Sequence, residues 1–166
     1  MPEAVTAYVA LGSNLDDPRL QVERGFGALA ALTHATLRAR SHLYRTPPWG
    51  MLDQPDFVNA VAKLETTLAP RALLDALLVI EARAGRSRGV PNGPRILDLD
   101  LLLYGDVVLH AHGLTIPHPR LAERAFVLLP LADIAPDLEI PAEGRVADLL
   151  ARVDTAGCVV IDCDHP

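Results

Sequence analysis

The sequence predicts one domain that mixes strands and helices, and three observations support this class. At 166 residues the chain is long enough for a single domain with a sizeable core. Half of its residues are hydrophobic and 22% are charged, a balance typical of globular proteins and not of disordered ones. Segments with the two-residue period of strands also alternate with segments that have the apolar stripe of amphipathic helices. We therefore expect residues 1–166 to form a single domain.

Charge, hydropathy and cysteine usage exclude several classes of protein. The formal net charge of −6 argues against a general nucleic-acid binder, because phosphate backbones require a basic surface. No apolar run approaches the roughly 20 residues of a membrane span, and the N-terminus has no signal-peptide pattern. Cys158 and Cys163 are an odd number of residues apart and would point to opposite faces of a strand. We therefore expect no disulfide between them and a cytoplasmic location.

Five elements are predicted in the first half of the chain. They are a buried strand over 5–11, a helix opened by Asp16-Asp17-Pro18, a strand over 36–45, a strand over 57–66 and a helix from Pro70 to Gly85. The helix starts are indicated by an acidic cap and by proline near the first helical position. The strand over 36–45 alternates apolar and basic residues, which predicts one solvent-exposed face. The proline-rich loop over 46–56 is long enough to predict a lid over a ligand.

Five further elements are predicted in the second half. They are a strand that follows the turn at 93–94 and stops at Gly105, a short hairpin return at 107–109, a helical turn at 121–125, an amphipathic helix at 146–153 and a closing strand at 158–161. Residues 128–140, between the helical turn and the amphipathic helix, are apolar and interrupted by prolines, and no element is assigned to them.

The strand before Gly105 carries the clearest chemical signal. Asp98 and Asp100 are two residues apart, so both carboxylates point to the same face of a strand. The alternate positions, on the other face, are Leu97, Leu99, Leu101 and Leu103. Paired carboxylates repel each other unless a cation lies between them, and Mg²⁺ binds through one or two carboxylates plus substrate phosphates. A solvated acidic face explains the spacing equally well, so the pattern alone leaves both interpretations open.

Four other local patterns point to a ligand, and each has a simpler alternative. Phe57 and Asn59 share a strand face that could bind a flat heterocycle or could form a core ring beside a satisfied amide. The arginines of loop 86–95 precede the two aspartates, which favours a clamp for metal-bound polyphosphate over simple ion pairs. His118 could donate to phosphate, although a lone loop histidine is more often incidental. The turn at 12–14 could present donors to a ligand, but ordinary turn chemistry explains it better.

Taken together, these segments resemble the 6-hydroxymethyl-7,8-dihydropterin pyrophosphokinases of folate biosynthesis. The resemblance extends from Ala7 to about Pro141, and the ordered set of motifs is much more specific than any one of them. In chain order the motifs are Leu-Gly-Ser-Asn at 11–14, Tyr-Arg-Thr-Pro-Pro at 44–48, Gln-Pro-Asp-Phe-Val-Asn at 54–59, Ile-Glu at 80–81, Gly-Arg at 85–86, Gly-Pro-Arg-Ile-Leu-Asp-Leu-Asp at 93–100, Pro-His-Pro-Arg at 117–120 and Arg-Ala-Phe at 124–126.

The resemblance implies a fold, a reaction and a set of partners. The implied fold is an α+β ferredoxin-like plait, a three-layer αβα arrangement with helices on both faces of a mainly antiparallel sheet. The implied reaction transfers pyrophosphate from ATP to the hydroxymethyl group of 6-hydroxymethyl-7,8-dihydropterin and leaves AMP, with two Mg²⁺ ions along the ATP phosphates. ATP and the pterin are then the expected partners of a monomer that binds neither nucleic acid nor a membrane.

The resemblance also implies which residues form the site. Asp98 and Asp100 would hold the metal ions and, with Arg86 and Arg95, would form the catalytic set. The residues implied to bind ATP are Glu81, Arg86, Arg88, Arg95, Ile96, His118 and Arg124. The residues implied to hold the pterin are Thr46, Pro47, Trp49, Phe57, Asn59 and Phe126.

Two other functions must be distinguished from pyrophosphoryl transfer. A non-catalytic module that binds pterin or nucleotide would form no product, although a module that only binds has less need for paired carboxylates. A metal-dependent phosphohydrolase would release phosphate or pyrophosphate without the pterin.

Overall fold

The structure is a computed structural model that describes residues 3–48, 53–85 and 96–162. The first part of the chain contains β1 (Val5–Ser13), α1 (Pro18–Ala30), β2 (Ala35–Arg40), β3 (Tyr44–Thr46), β4 (Phe57–Thr66) and α2 (Pro70–Arg83). The second part contains β5 (Asp98–Tyr104), β6 (Leu109–Ala111), β7 (Leu114–Ile116), a 3-10 helix (Leu121–Glu123), α3 (Ala125–Ile134), β8 (Glu139–Ile140), β9 (Gly144–Arg145), α4 (Val146–Leu150) and β10 (Val159–Val160). None of the helices in these three ranges is both long enough and apolar enough to cross a membrane.

The centre of the fold is a six-stranded sheet in which the paired strands are antiparallel, as predicted. The strand order is β10-β3-β4-β1-β5, and β2 also pairs with β4. With ten residues, β4 is long enough for both neighbours: its Thr66 end pairs with β2 and its Phe57 end pairs with β3. The strands that bear the predicted site, β4, β1 and β5, are therefore adjacent.

Two hydrophobic clusters pack against this sheet, and alternate residues of β1 belong to different clusters. Ala7, Val9 and Leu11 belong to the cluster that contains the buried stripes of α1 and α2. Tyr8 belongs to the cluster that contains the buried residues of α3 and α4. Because successive strand residues point to opposite faces, each cluster lies on one face of the sheet. We call these the α1/α2 face and the α3 face.

Four predicted elements of the first half are confirmed, the first of them the buried strand β1. β4 spans Phe57–Thr66, the range that its alternation predicted. α1 begins at Pro18, and the side chain of Asp17 caps it by accepting the Leu20 N–H at 3.4 Å. α2 is followed by Gly85, whose φ of 87° is a conformation that glycine adopts without strain.

The single strand predicted over 36–45 is wrong, because the structure divides it into β2 and β3. The interruption is at Ser41, whose Oγ accepts the Val61 N–H at 2.8 Å while its own N–H donates to the Val61 carbonyl at 2.9 Å. The hydroxyl replaces a carbonyl of the strand ladder, so regular pairing with β4 resumes only at Tyr44. The predicted solvent-exposed face is present in β2, where alternate residues are exposed.

β5 is less regular than the predicted strand. It spans Asp98–Tyr104, and its pairing with β1 shifts register at Leu102, which is an extra residue opposite β1. Leu99 and Leu101 pack on the α1/α2 face as predicted, whereas Leu102 and Leu103 both pack on the α3 face. The prediction that Leu103 shares a face with the other leucines is therefore wrong.

The C-terminal third contains elements that the sequence pattern did not predict. α3 occupies much of the unassigned apolar segment 128–140 and includes Pro130 in its interior.

Two other predictions for the second half concern short strands. A hairpin return was predicted at 107–109, whereas the observed hairpin pairs β6 with β7. The closing strand is confirmed as β10, which pairs with β3. Cys158 is a free thiol, and Cys163 lies outside the described residues.

Candidate active site

Several predicted site residues lie at one end of the α3 face. Gly12 of β1 is opposite Asn59 of β4 on one side and opposite Asp98 of β5 on the other. Directly opposite residues of antiparallel strands point to the same face, so these three residues form a row across three strands. We call it the polar row. Because Gly12 has no side chain, the Asn59 amide can lie close to its Cα.

The two aspartates point to the same face, as predicted. Asp98 is in the polar row, and Asp100 lies opposite Ala10 on the same face. Both residues are partly exposed, whereas Tyr8 and Leu103, farther along the face, belong to the buried α3 cluster. The carboxylates thus lie where the apolar packing of this face ends.

The amide of Asn59 is held in a fixed orientation. Its Nδ2 donates to Thr46 Oγ1 at 2.6 Å, and both residues are buried. Its Oδ1 lies so close to Gly12 that a Cβ added at that position would be 2.7 Å away. Phe57 is opposite Thr46 in the register of β3 and β4 and is only partly buried. The structure therefore places an oriented amide and an aromatic ring side by side on one face.

His118 is attached to β5 from the loop that follows β7. Its backbone N–H donates to the Leu102 carbonyl at 2.9 Å, and its Nδ1 accepts the Arg120 N–H at 3.2 Å. Burial, assisted by the charges of Arg124 and Arg120, lowers the pKa of His118 to about 4, although Asp98 acts in the opposite direction. At neutral pH the ring is therefore uncharged, and Nε2 carries its proton.

The start of α3 adds a cation and an aromatic ring to the same end of the face. Burial lowers the pKa of the Arg124 guanidinium, whereas the carboxylates of Asp100 and Asp98 act to raise it. Arginine remains protonated in such surroundings. The guanidinium carbon of Arg124 lies 5.4 Å from the centroid of the Phe126 ring, which is the distance of a cation–π contact.

Glu81 lies in the last turn of α2, beside β5. The residue is 1% exposed, and its Oε2 accepts the backbone N–H of Leu99 at 2.7 Å. Leu99 is the residue between the two aspartates, and its side chain packs on the α1/α2 face. Glu81 thus contacts the backbone of the strand that carries both carboxylates.

Comparison with known proteins identifies the family to which the chain is similar. The profile described as 7,8-dihydro-6-hydroxymethylpterin-pyrophosphokinase (HPPK) matches residues 8–136, a range that includes the polar row and the start of α3. The chain belongs to this pyrophosphokinase family.

Individual proteins similar to this pyrophosphokinase-family chain agree with the profile. The 2-amino-4-hydroxy-6-hydroxymethyldihydropteridine pyrophosphokinase of Pseudomonas aeruginosa is 51% identical over 150 residues, which cover 90% of this chain and 93% of the relative. The protein of the same name from Haemophilus influenzae is 46% identical over 148 residues, which cover 89% and 92%.

A solved structure extends the comparison to the fold. The crystal structure of a Plasmodium falciparum HPPK-DHPS triple mutant matches with a TM-score of 0.73 at 15% sequence identity, over 90% of this chain. Only 43% of the Plasmodium chain is covered, so this chain spans less than half of that protein. At this identity the likeness concerns the fold alone.

Of the remaining residues implied by the family resemblance, the structure describes Ile96 and Pro47, and neither is in the polar row. Ile96 lines a cavity of about 450 Å³ between α1 and α2, together with Leu97. Pro47 is exposed directly after β3. Trp49, Arg86, Arg88 and Arg95 lie outside the described residues. The roles of these residues in a pyrophosphokinase site stay predictions.

Sequence reasoning assigned no role to Arg120, and it left Asn14 with ordinary turn chemistry. Arg120 donates its N–H to His118, and its charge contributes to the lowered pKa of that histidine. Asn14 donates from Nδ2 to Gln54 Oε1 at 2.9 Å and to the Pro55 carbonyl at 3.1 Å, which connects the β1–α1 turn to the loop before β4. Both residues belong to motifs of the pyrophosphokinase resemblance, but a motif does not specify which residue its side chain contacts.

Proposed function

We propose that this chain transfers pyrophosphate from ATP to the hydroxymethyl group of 6-hydroxymethyl-7,8-dihydropterin in folate biosynthesis, giving AMP and the pterin diphosphate. The observation that carries the proposal is the polar row, in which an oriented amide and a carboxylate lie on one face, on either side of Gly12. Membership of the pyrophosphokinase family and relatives that bear this activity name support the same reaction.

The pterin end of the site is formed by β3, β4 and the start of α3. Asn59 offers both a donor and an acceptor to the polar edge of a flat heterocycle, and its bond to Thr46 keeps the amide from rotating. Phe57 and Phe126 offer rings that can stack on the heterocycle. In the proposal this end also includes Pro47, directly after β3, and Trp49, which the family resemblance implies.

The carboxylate pair fits Mg²⁺. Mg²⁺ keeps several waters and is usually held by one or two carboxylates plus substrate phosphates, so a two-carboxylate set is sufficient. In the part of the chain that the structure describes, no group of three or more His, Cys, Asp and Glu residues is placed to hold a metal ion. We propose that Asp98 and Asp100 hold two Mg²⁺ ions, which when bound would neutralise charge on the ATP phosphates.

Cations and a neutral donor form the phosphate end. Arg124 supplies a fixed positive charge near the carboxylates, and His118 supplies an uncharged Nε2–H donor. The additional contacts proposed for ATP come from Arg86, Arg88, Arg95 and Ile96. Phosphoryl transfer passes through a loose transition state, so positioning and charge neutralisation supply most of the rate, and these residues need no strong general base among them.

The finer features of the fold and assembly are also proposals. The strand order and the two helix-covered faces support a three-layer ferredoxin-like plait. The Pseudomonas aeruginosa and Haemophilus influenzae relatives are matched over 93% and 92% of their length, which supports a single domain over residues 1–166. We propose a cytoplasmic monomer, for which light scattering after size exclusion should give a mass near 17.9 kDa.

The function is tested by product analysis. The purified chain is incubated with ATP, Mg²⁺ and 6-hydroxymethyl-7,8-dihydropterin, and nucleotides and pterins are separated by chromatography. AMP and pterin diphosphate should form in equal amounts. ADP formation would contradict the proposal, pterin-independent release of phosphate would indicate a phosphohydrolase, and ligand binding without product would indicate a binding module.

A further inference from the structure

We propose that Glu81 is a positioning residue that fixes the direction of Asp98 and Asp100 by holding the backbone of β5 between them. The inference rests on the proposed function, because it assigns Glu81 to the metal-binding strand of that site. It differs from the ATP contact that the family resemblance implies, since Glu81 acts here through the strand.

The first support is the position of β5 at the edge of the sheet. Within the described residues β5 pairs with β1 on one side only. The N–H of Leu99 points away from β1, since it donates to Glu81 Oε2 at 2.7 Å. Edge backbone groups without a neighbouring strand are satisfied by water or side chains and permit the strand to twist. The carboxylate thus replaces a neighbouring strand at the one residue between the two aspartates.

The second support is the residue type. The buried positions of α2 include Leu73, Leu77 and Glu81, which are four residues apart and form one stripe of the helix. Glu81 is 1% exposed, so a carboxylate is buried in a stripe whose two preceding residues are leucines. Burying a carboxylate is unfavourable unless it is hydrogen-bonded, and this one accepts the Leu99 N–H. The glutamate therefore supplies a hydrogen-bond acceptor to β5 at a position where the helix stripe otherwise has leucine.

The third support is the direction of the side chains. The Leu99 side chain packs on the α1/α2 face, and the neighbouring aspartates point to the α3 face. A bond to the Leu99 N–H constrains the backbone on both sides of that residue and therefore the Cα–Cβ directions of both aspartates. Partners that orient ligands in this way typically change metal affinity or activity by about 10- to 100-fold when they are removed.

The experiment compares Glu81→Leu and Glu81→Gln with the parent chain. In metal-free protein, NMR hydrogen exchange of the Leu99 amide should be slow in the parent, at least about 10-fold faster in Glu81→Leu, and intermediate in Glu81→Gln, which retains a neutral acceptor. The Mg²⁺ concentration for half-maximal AMP formation should rise about 10-fold or more in Glu81→Leu. Direct titration should show unchanged affinity for the pterin, and all assays are run well below the Tm of each variant, because loss of the Leu99 hydrogen bond lowers stability.

The matched control is Glu23→Gln, which neutralises a carboxylate of α1 that is paired with Arg40. It should leave Leu99 exchange and Mg²⁺ dependence unchanged. Unaltered Leu99 exchange in Glu81→Leu would overturn the proposal, as would faster exchange with unchanged Mg²⁺ dependence. Equal loss of ATP-analogue affinity with and without Mg²⁺ would instead assign Glu81 to direct nucleotide contact. If the parent chain forms no AMP, the proposed function fails, and Leu99 exchange with Mg²⁺-dependent analogue binding still decides the role of Glu81.

Discussion

The two faces of the sheet are built from alternate residues of the same strands, yet apolar packing extends farther on one than on the other. On the α1/α2 face, buried apolar residues continue along β1 and β5 as far as Leu11 and Leu99. On the α3 face the buried cluster includes Tyr8 and Leu103, and the polar row with Asp100 occupies the end beyond them. One face therefore holds the strands together over their whole length, and this allows the other to expose carboxylates at its end.

This comparison predicts that the largest loss of function comes from the exposed end of the α3 face. Asp98→Asn or Asp100→Asn should lower the rate of AMP formation by about 100- to 1,000-fold, the range for loss of one preorganised electrostatic group. The variants should remain folded, because both residues are partly exposed. Steady-state AMP assays and thermal denaturation measure the two effects.

Asp106→Asn, in the exposed turn after β5, is the matched control and should leave both quantities unchanged. Turnover within about tenfold of the parent in both site variants would show that the metal ions are held by other residues.

A pair of buried leucines tests whether the two faces differ in function as well as in packing. Leu29 of α1 and Leu128 of α3 are both fully buried, on opposite faces. Each substitution by alanine should lower the free energy of unfolding by about 2–5 kcal/mol, measured by urea denaturation. Leu128→Ala should also lower turnover of the folded protein, because α3 carries Arg124 and Phe126 at its start. Equal turnover in the two variants would contradict the distinction between the faces.

Substitution of two glycines by alanine tests whether the site tolerates an added methyl group less well than the rest of the molecule. In Gly12→Ala the new methyl group would lie 2.7 Å from Asn59 Oδ1 and displace an amide that is hydrogen-bonded to Thr46. We expect the pterin dissociation constant to rise about 10-fold, since a hydrogen bond of roughly 1 kcal/mol or more is disturbed.

Gly27→Ala is the control for the glycine test. A Cβ at Gly27, in α1, meets nothing within 4 Å, so this variant should gain up to about 1 kcal/mol of stability and bind the pterin normally. Pterin titration measures the dissociation constant of both variants, and urea denaturation measures their stability. A normal dissociation constant in Gly12→Ala would mean that Asn59 does not bind the pterin.

Sequence periodicity predicted the strands that carry the site better than the contacts that orient it. The face shared by Asp98 and Asp100 follows from a period of two, because Leu99 between them is apolar. The register shift at Leu102 could not be predicted, since consecutive leucines are compatible with either phase of the strand. The bond from Leu99 to Glu81 joins positions 18 residues apart, and only the packing of α2 against β5 brings them together.

The missed helix has a different cause. α3 lies in an apolar segment whose interior Pro130 favours a turn or a helix end when the sequence is considered alone. In the structure Pro130 is buried in α3, which packs against β4 and α4, so tertiary packing outweighs the local preference. The start of α3 supplies Arg124 and Phe126, which were assigned to the site by family resemblance and not by periodicity.

The smallest effect is expected at the edge of the α1/α2 face, where a surface pair joins α1 to β2. Arg40 donates to both oxygens of Glu23, at 2.9 and 2.8 Å, and its guanidinium carbon lies 3.9 Å from the Phe26 ring centroid. Arg40→Ala should lower the free energy of unfolding by about 0.5–1 kcal/mol at neutral pH without changing turnover.

The pH dependence separates the ion pair from the ring contact. The hydrogen bond from Arg40 lowers the pKa of Glu23 below its ordinary value of 4.5. The unfolded chain therefore binds more protons at Glu23 than the folded chain around that pH, so the ion-pair contribution is complete above 4.5 and is lost as the pH falls through the lowered value. Urea denaturation of the parent and of Arg40→Ala should give a difference that narrows from pH 7 to pH 3.5, while the contact with Phe26 preserves a remainder. A difference that does not change with pH would assign the whole effect to that ring contact.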